Sequence, residues 1–272
     1  MVDWSSLNTV FLDMDGTLLD LHFDNHFWLE HLPARYAEHY DLHPQEAKDR
    51  LIPMIMAERG SLNWYCTDYW SERLSLDITG LKAEVGDRIG YRPHVTDFLD
   101  ALRQSGLQSV IVTNCHPDPL ALKLQRTGLD TRVDAIVSSH QLGKPKEDPS
   151  FWHDLQRLTP YQAENTLMVD DSFPVLESAL AAGIAQCLAV LAPDSQQEAR
   201  QRHPEIPCIH HFDEILPALR QRSPLPDPLL GQGSDRGWQG ALQHPALQTR
   251  QAGGNRRETD RAPGLAGKNC HY

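Results

Sequence analysis

The chain has 272 residues, 40% of them hydrophobic, and a formal net charge of -12. This composition excludes a wholly disordered chain, and the length suits one large domain with an insertion. The acidic charge argues against wrapping of a nucleic acid. No apolar run reaches the roughly 18 residues of a membrane span, and no basic segment of a secretory signal opens the chain. We expect a cytoplasmic monomer or weak homo-oligomer without nucleic-acid or membrane partners.

Residues 1–222 alternate short β-branched runs with amphipathic segments, a rhythm typical of βαβ units. Strands are predicted at Thr9–Leu12, Ser109–Thr113, Val133–Val137, Thr166–Val169, Gln186–Leu191 and, more weakly, Ile206–Ile209. Helices are predicted between them at Val95–Gln104, Leu120–Arg126, Ser150–Arg157, Pro174–Ala182 and Ser195–Arg202. The pattern therefore predicts an α/β fold, with a Rossmann-like parallel sheet covered by helices on both faces.

A gap of about ninety residues between the first two strands interrupts this rhythm. Helices are predicted there at Asn25–Tyr40, Pro44–Arg59 and Trp64–Leu74. Pro44 suits a first helical turn, whereas Pro53 is expected to kink or split its helix. We infer a helical insertion over the C-terminal edge of the first strand. Of the last fifty residues, 13 are Pro or Gly, which predicts a poorly ordered tail.

Chemistry-bearing side chains follow four of the predicted strands. The segments are FLDMDGT (11–17), IVTN (111–114), GKPKED (143–148) and LMVDDS (167–172). Taken alone, each segment can also be interpreted as a purely structural feature: a turn, a helix cap or a lysine exposed to solvent. In an open parallel sheet, however, ligands bind outside the carboxyl ends of the strands. Together the segments offer a carboxylate nucleophile, an acid/base, a hydroxyl, a cation and an acid pair for a metal ion, which suits phosphoryl transfer through an aspartyl-phosphate.

The order and surroundings of these segments resemble the haloacid dehalogenase superfamily of phosphatases, in which a helical cap follows the first motif. The stretches FLDMDGTLLDLHFDNHFW (11–28) and LNWYCTDYW (62–70) are similar to the bacterial GMP/IMP 5′-nucleotidases of that superfamily. The resemblance covers about residues 7–220. It implies a core formed by 1–21 and 91–222, and an inserted cap domain at 22–90. The tail at 223–272 lies outside it.

The resemblance also implies roles for the acidic residues. Asp13 would be the nucleophile, and Asp15 the group that protonates the leaving oxygen and later deprotonates water. The implied cofactor is Mg²⁺, which prefers oxygen ligands and retained waters. It would be held by the Asp13 carboxylate, the Asp15 backbone carbonyl and Asp171, and Asp170 would accept a hydrogen bond from a metal-bound water.

Phosphate binding is assigned by the same resemblance to Thr113, the backbone of Asn114 and one lysine. The family lysine lies six residues before an aromatic that opens the next helix, a spacing that Lys146 fits and Lys144 does not. Lys146 is therefore chosen, and Lys144 is kept as the alternative. The family often has proline directly after this lysine; here it is Glu147, which is expected to temper the lysine charge.

Substrate specificity is expected to reside in the cap, because a purine ring needs an aromatic face for stacking. The candidates are Asn63, Trp64, Tyr69 and Trp70, with Phe23, Asp24, Asn25 and Trp28 beside the same entrance. Aromatic residues at this helical spacing can equally pack the interior of the cap. Both interpretations stay open for each of these residues.

Cysteine and histidine offer no local motif. The 5 cysteines form no CxxC pair and the 14 histidines no HxH or HExxH spacing, so neither a disulfide framework nor a Cys or His metal site is expected. Cys115 lies near the phosphate residues, but no histidine is placed by motif to activate it. We expect a small buried residue there.

These patterns favour an Mg²⁺-dependent phosphomonoesterase acting on nucleoside 5′-monophosphates, with the purines GMP and IMP favoured by resemblance alone. One alternative is a sugar-phosphate or phosphoglycolate phosphatase on the same core. A second is a phosphate-binding, receiver-like regulatory protein, although receivers lack the Asp-x-Asp-Gly-Thr segment and the insertion. Dehalogenase activity is disfavoured, because that branch lacks the second aspartate and Asp15 is present.

Overall fold

A computed structural model describes residues 2–222, so the tail predicted at 223–272 lies outside the described residues. The strands are β1 Thr9–Leu12, β2 Gln108–Thr113, β3 Ala135–Ser138, β4 Thr166–Asp170, β5 Gln186–Val190 and β6 Cys208–Ile209. They form one parallel sheet in the order β3-β2-β1-β4-β5-β6. The predicted α/β fold is confirmed, and each predicted strand is present with ends shifted by at most a few residues.

Ten α-helices surround or extend from the sheet within residues 2–222. They are α1 His22–His26, α2 Leu32–Tyr40, α3 Pro44–Ala57, α4 Thr67–Leu74, α5 Ile78–Glu84, α6 Val95–Ser105, α7 Pro117–Thr127, α8 Pro149–Leu158, α9 Phe173–Ala181 and α10 Leu216–Arg220. A π-helical turn joins α1 to α2, and a 3-10 turn at Leu62–Tyr65 precedes α4.

Both faces of the sheet are buried. Side chains alternate along a strand, so Val10 and Leu12 pack with α6 and α10, while Phe11 packs with α8 and α9 on the other face. Strand β1 lies between β2 and β4, with Leu12 in register with Ile111 and Val169. The carboxyl ends of these three strands therefore lie side by side at one edge of the sheet.

The helices between β1 and β2 have a hydrophobic core of their own. Phe23, Phe27 and Trp70 are fully or almost fully buried in it. Helix α3 continues unbroken through Pro53, so the expected split is wrong. Pro53 lies on the exposed side, while Leu51 and Ile55 anchor the helix on either side of it. The loss of one backbone hydrogen bond is therefore tolerated.

One further expectation about an element differs from the structure. Residues 195–202 form turns and extended chain, not the predicted helix. Asp194 caps the turn by accepting from Gln196 N, and the Arg200 N–H donates to the Leu191 carbonyl at 2.7 Å. The backbone thus bonds back to the end of β5. Helix α5 was not predicted from the pattern.

None of the helices within residues 2–222 combines the length and the apolar character needed to traverse a bilayer.

Candidate active site

The carboxylate of Asp13 lies directly beyond the end of β1 and is 6% exposed. Its Oδ1 accepts a hydrogen bond from Lys146 Nζ at 2.6 Å, and the same ammonium group donates to Asp170 Oδ2 at 2.8 Å. Asp170 ends β4, and Lys146 lies in the loop between β3 and α8. The sheet therefore brings together groups that are more than a hundred residues apart in sequence.

Three buried carboxylates form the centre of the site. Ligand oxygens of Asp13, Asp170 and Asp171 all lie within 4.8 Å of one another. Burial raises the pKa of Asp13 and of Asp171 to about 7, and that of Asp170 to about 6, although Lys146 opposes the shift at each. Arg200 Nη2 also contacts Asp171 Oδ2 at 3.0 Å. The effect of burial on the pKa thus outweighs that of Lys146 at Asp13 and Asp170, and that of Lys146 and Arg200 together at Asp171.

This donor set fits Mg²⁺. All the ligand atoms are carboxylate oxygens, the type that Mg²⁺ prefers, and a divalent cation would relieve the electrostatic cost that raises their pKa values. Gly16 keeps the approach to Asp171 open. Its φ is +88°, and a Cβ there would lie 2.8 Å from Asp171 Cγ, so any larger residue would displace that carboxylate.

Thr113 and Asn114 lie at the end of β2, 1% and 5% exposed. The Asn114 side chain also fixes the lysine loop, because its Oδ1 accepts from Lys146 N at 3.0 Å and its Nδ2 donates to Glu147 Oε2 at 2.9 Å. Glu147 accepts a second hydrogen bond from Tyr65 Oη at 2.7 Å. Its carboxylate is thereby engaged by Asn114 and by a residue of the inserted helices.

The two candidate lysines lie in different environments. Lys146 is 2% exposed and contacts Asp13 and Asp170, and these carboxylates raise its pKa although burial acts to lower it. Lys144 is directed outwards, with its Nζ 2.6 Å from Asp154 Oδ2. The structure thus brings Lys146 to the acidic cluster and leaves Lys144 at the surface.

Asp15 belongs to a separate buried ionic network. Lys123 Nζ, on α7, donates to Asp15 Oδ1 at 2.6 Å and to Asp24 Oδ2 at 2.7 Å. Asp24 Oδ1 in turn accepts from Lys82 Nζ, on α5, at 2.6 Å. Burial raises the pKa of Asp15 against the opposing effect of Lys123. The pKa of Asp24 is held below its ordinary value by Lys123 and Lys82, although burial acts to raise it.

A cavity of about 520 Å³ opens over these groups. Its floor contains Asp13, Asp15, Thr113, Asn114, Lys146, Asp170 and Asp171. Its other wall comes from the inserted helices and includes Asp24, Asn25, Trp28, Arg59 and Trp64. The cavity is therefore lined by the charged side chains of the core and by aromatic side chains of the inserted segment.

The cap candidates separate into two groups. Trp64 lines the cavity, whereas Asn63 and Tyr69 both hydrogen-bond to Glu58 and do not line it. Trp70 is fully buried, with its ring centre 6.0 Å from that of Trp28. Successive residues of a helical turn point in different directions, so the aromatic segment can supply one cavity residue and several packing residues.

Sequence reasoning missed Lys123, Lys82 and Arg200. Lys123 and Lys82 did leave a signal, because each stands inside an apolar run, LALKL and GLKA, where a solvated lysine is not expected. Asp24 was named only as a possible residue of the entrance. Arg200 left no local signal, since the segment around it is polar and was interpreted as a helix.

Comparisons with known proteins agree with this architecture. The model of the haloacid dehalogenase-like hydrolase family matches residues 7–183. The GMP/IMP nucleotidase YrfG of Escherichia coli K12 is 43% identical over 220 residues, which are 80% of this chain and 98% of that protein, and the same figures hold for YrfG of Shigella flexneri.

Solved structures match over similar lengths. The HAD phosphatase from Thermococcus onnurineus superposes with a TM-score of 0.68 at 21% identity, covering 79% of this chain and 99% of that one. The HAD-hydrolase YfnB from Bacillus subtilis, solved with bound magnesium, gives a TM-score of 0.57 at 19% identity, covering 78% and 98%. At such identities the likeness concerns the fold.

Proposed function

The chain belongs to the haloacid dehalogenase-like hydrolases and is a hydrolase of the phosphatase type. From this premise we propose that it is an Mg²⁺-dependent 5′-nucleotidase. The observation that carries the proposal is the contact of Asp13 with Lys146 inside a cluster of three buried carboxylates, in a cavity that Trp28 and Trp64 also line. We further propose that residues 22–90 act as a cap over a core formed by 1–21 and 91–222.

Asp13 is the proposed nucleophile. One of its carboxylate oxygens attacks the phosphorus, a bond forms between them, and the ester P–O bond breaks. A carboxylate can do this without losing a proton, whereas a serine hydroxyl needs a base. Lys146 holds the attacking carboxylate through its 2.6 Å hydrogen bond to Oδ1. The product of this step is an aspartyl-phosphate.

Asp15 is the proposed acid and base. It gives its proton to the departing nucleoside oxygen and then, as a carboxylate, takes a proton from the water that attacks the aspartyl-phosphate. The P–O bond to Asp13 breaks, and inorganic phosphate leaves. Lys123 positions Asp15, and its ammonium opposes the effect of burial on the Asp15 pKa. An acid that must both give and take a proton benefits from this balance.

The remaining charged groups handle the phosphate. Thr113 and the backbone of Asn114 are proposed to donate hydrogen bonds to its oxygens. A carboxylate about 4 Å from a phosphate oxygen meets roughly 4 kcal/mol of repulsion per charge pair at an effective dielectric of 20. Mg²⁺, held by Asp13, Asp171 and the Asp15 carbonyl, would supply Lewis-acid stabilisation of the phosphoryl oxygens.

A purine nucleotide is the proposed substrate. The cavity volume of about 520 Å³ lies within the range of small-molecule sites. Trp28 and Trp64 line the cavity and are the aromatic side chains proposed to stack on the base, and Arg59, which also lines it, is a hydrogen-bond donor. The 43% identity to a GMP/IMP nucleotidase over 80% of the chain supports purines in particular.

A substrate panel tests this proposal. The purified full chain with Mg²⁺ is expected to release phosphate from GMP and IMP with a kcat/KM at least ~10-fold above that for ribose 5-phosphate or phosphoglycolate, the amount one stacked base contributes. EDTA and the Asp13→Asn variant should each abolish release, while Asp154→Asn, at the surface beside Lys144, should not. If no ester released phosphate in a metal-dependent way, the proposed phosphatase activity would be refuted. If the kcat/KM values for GMP and IMP equalled those for ribose 5-phosphate and phosphoglycolate, the proposed preference for nucleotides would be refuted.

A further inference from the structure

Three side chains of types that bind metals lie close together near the end of β2, although they are far apart in sequence. Cys66 precedes α4, His116 precedes α7, and His140 follows β3. One ligand atom from each lies within 4.8 Å of the other two. Cys66 and His116 are 3% and 8% exposed. No local motif could have shown this cluster, because each residue comes from a different segment.

His140 is arranged as metal-ligating histidines are. Its ring hydrogen-bonds to the backbone of Asn114, while its Nε2 is buried and has no hydrogen-bond partner. A ligating histidine usually donates one ring N–H to a carbonyl or carboxylate and directs the other nitrogen at the metal. A buried nitrogen without a partner is otherwise costly.

His116 is also fixed at one ring nitrogen, because its Nδ1 accepts from Asp118 N at 3.4 Å as the cap of α7, which leaves Nε2 to face the cluster. Its Nδ1 lies 2.8 Å from Thr67 Oγ1, and its ring centre lies 4.8 Å from that of His140 in an edge-to-face arrangement. Burial lowers the pKa of both rings, that of His140 to about 3. Both imidazoles are therefore neutral near pH 7, the form that binds metals.

We propose that Cys66, His116 and His140 form a second metal site, which takes a borderline-soft divalent cation of the Zn²⁺ class. One thiolate and two imidazoles are ligands that such ions prefer and that Mg²⁺ does not. Ligands of a tetrahedral zinc stand about 3.5 Å apart, so small side-chain shifts close the cluster. Asp68 Oδ2, 3.6 Å from His116 Nε2, is close enough to complete four-coordination.

Binding at this site has chemical and structural consequences. The Cys66 thiol gives its proton to solvent as the metal–sulfur bond forms, so binding strengthens as pH rises. The bound ion ties the segment before α4 to the loops after β2 and β3. One of those loops carries Asn114, which also contacts the lysine loop. Metal binding here is independent of the proposed substrate.

Cobalt and zinc titrations test the site. The full chain, saturated with Mg²⁺, is titrated with Co²⁺, and a thiolate-to-cobalt charge-transfer band reports coordination by cysteine. One equivalent is expected to develop the band, and Zn²⁺ to remove it. Cys66→Ser should lack the band yet keep its fold, because serine also caps a helix as Cys66 caps α4 through Tyr69 N. Cobalt at the carboxylate cluster gives no such band.

Matched variants make the outcome decisive. Cys208→Ser and Cys270→Ser should retain the band, and His140→Gln should weaken Zn²⁺ binding at least ~10-fold in competition with a chromophoric chelator. Circular dichroism checks that each variant is folded. The site is refuted if the wild-type chain shows no band, if the band persists in Cys66→Ser, or if His140→Gln binds Zn²⁺ as tightly as the wild type.

Discussion

Two lysines in one loop offer a test at the scale of single residues. Lys146 contacts Asp13 and Asp170 in the interior, whereas Lys144 pairs with Asp154 at the surface. Lys146→Met should lower kcat/KM by roughly 10²–10³-fold, because one cation that offsets the charge of nucleophile and phosphate is lost. Steady-state kinetics of both variants measure the effect.

Lys144→Met is the matched control. Lys144 is partly exposed and contacts Asp154 and Ser150, not the acidic cluster, so this variant should stay within about twofold of the wild-type rate. Comparable losses in the two variants would contradict the assignment of Lys146 and would indicate that the loop as a whole, not one ammonium group, determines the rate.

The sequence predicted the residues of the site motifs, but it did not predict the buried residues that form ion pairs with them. Asp13 directly follows β1, Thr113 and Asp170 end β2 and β4, and Lys146 lies in the loop after β3, so a correct sheet brings them to one edge. Lys123 lies in the middle of α7, and its partner Asp24 lies about a hundred residues earlier. The apolar run around Lys123 marks the lysine as unusual, but helical periodicity does not identify its partner, because it carries no information on what packs against the helix.

The network between α1, α5 and α7 makes a prediction at the scale of elements. Lys123→Met removes the cation that opposes the burial-driven rise in the Asp15 pKa, so that pKa should rise further. We expect the optimum of the kcat–pH profile to move upwards and kcat at pH 7 to fall about tenfold.

Lys48→Met provides the control for that network, since Lys48 pairs with Glu30 on the exposed side of the inserted helices. It should leave the profile unchanged. If Lys123→Met lowered thermal stability but left the pH profile of kcat in place, Lys123 would be a structural residue and not one that positions Asp15.

Helix α3 supports a second prediction at this scale. Pro53 lies inside the helix, where it lacks an N–H and crowds the preceding turn. Pro53→Ala should raise the free energy of unfolding by about 1–2 kcal/mol. Urea denaturation monitored by circular dichroism measures this. A lower free energy of unfolding would show that the chain around Pro53 is adapted to proline.

Strands and helices could be predicted where burial determines the sequence pattern. They could not be predicted where side-chain hydrogen bonds and ion pairs determine the backbone conformation. The strands are buried on both faces, so their apolar runs mark them, and β1 was located to the residue. Residues 195–202 have a helical pattern of polarity, but Asp194 and Arg200 make contacts that favour a turn and extended chain. The turn at Asp194 is a local contact, but the ion pair of Arg200 with Asp171 depends on the tertiary structure, which no local pattern contains.

At the scale of the whole molecule, an acidic chain forms its site by burying cations. The net charge is -12, yet Lys82, Lys123 and Lys146 are at most 4% exposed, each beside a carboxylate of the cavity. These buried lysines offset part of the negative charge at the place where a phosphate would bind. The carboxylate cluster still has more negative charge than these lysines offset, which leaves a role for a divalent cation.

That excess charge predicts how stability depends on pH and metal. Asp13 and Asp171 have pKa values of about 7 and Asp170 of about 6, against roughly 3.9 in an unfolded chain. Between about pH 4 and 7 the folded protein therefore holds protons that the unfolded chain has released, so these groups make the free energy of unfolding fall as pH rises. Without divalent metal, the thermal midpoint should be lower at pH 8 than at pH 5.

Mg²⁺ binds the ionised carboxylates, so its stabilisation should increase over the same pH range. At a hundredfold excess over Kd it contributes about 2.7 kcal/mol, or roughly 5–10 °C in the thermal midpoint at pH 8, and much less at pH 5. Differential scanning fluorimetry with Mg²⁺ or EDTA measures both. Asp171→Asn should lose the Mg²⁺ increment and flatten the pH dependence of the EDTA midpoint. Equal Mg²⁺ increments at the two pH values would contradict a metal site built from these three acids.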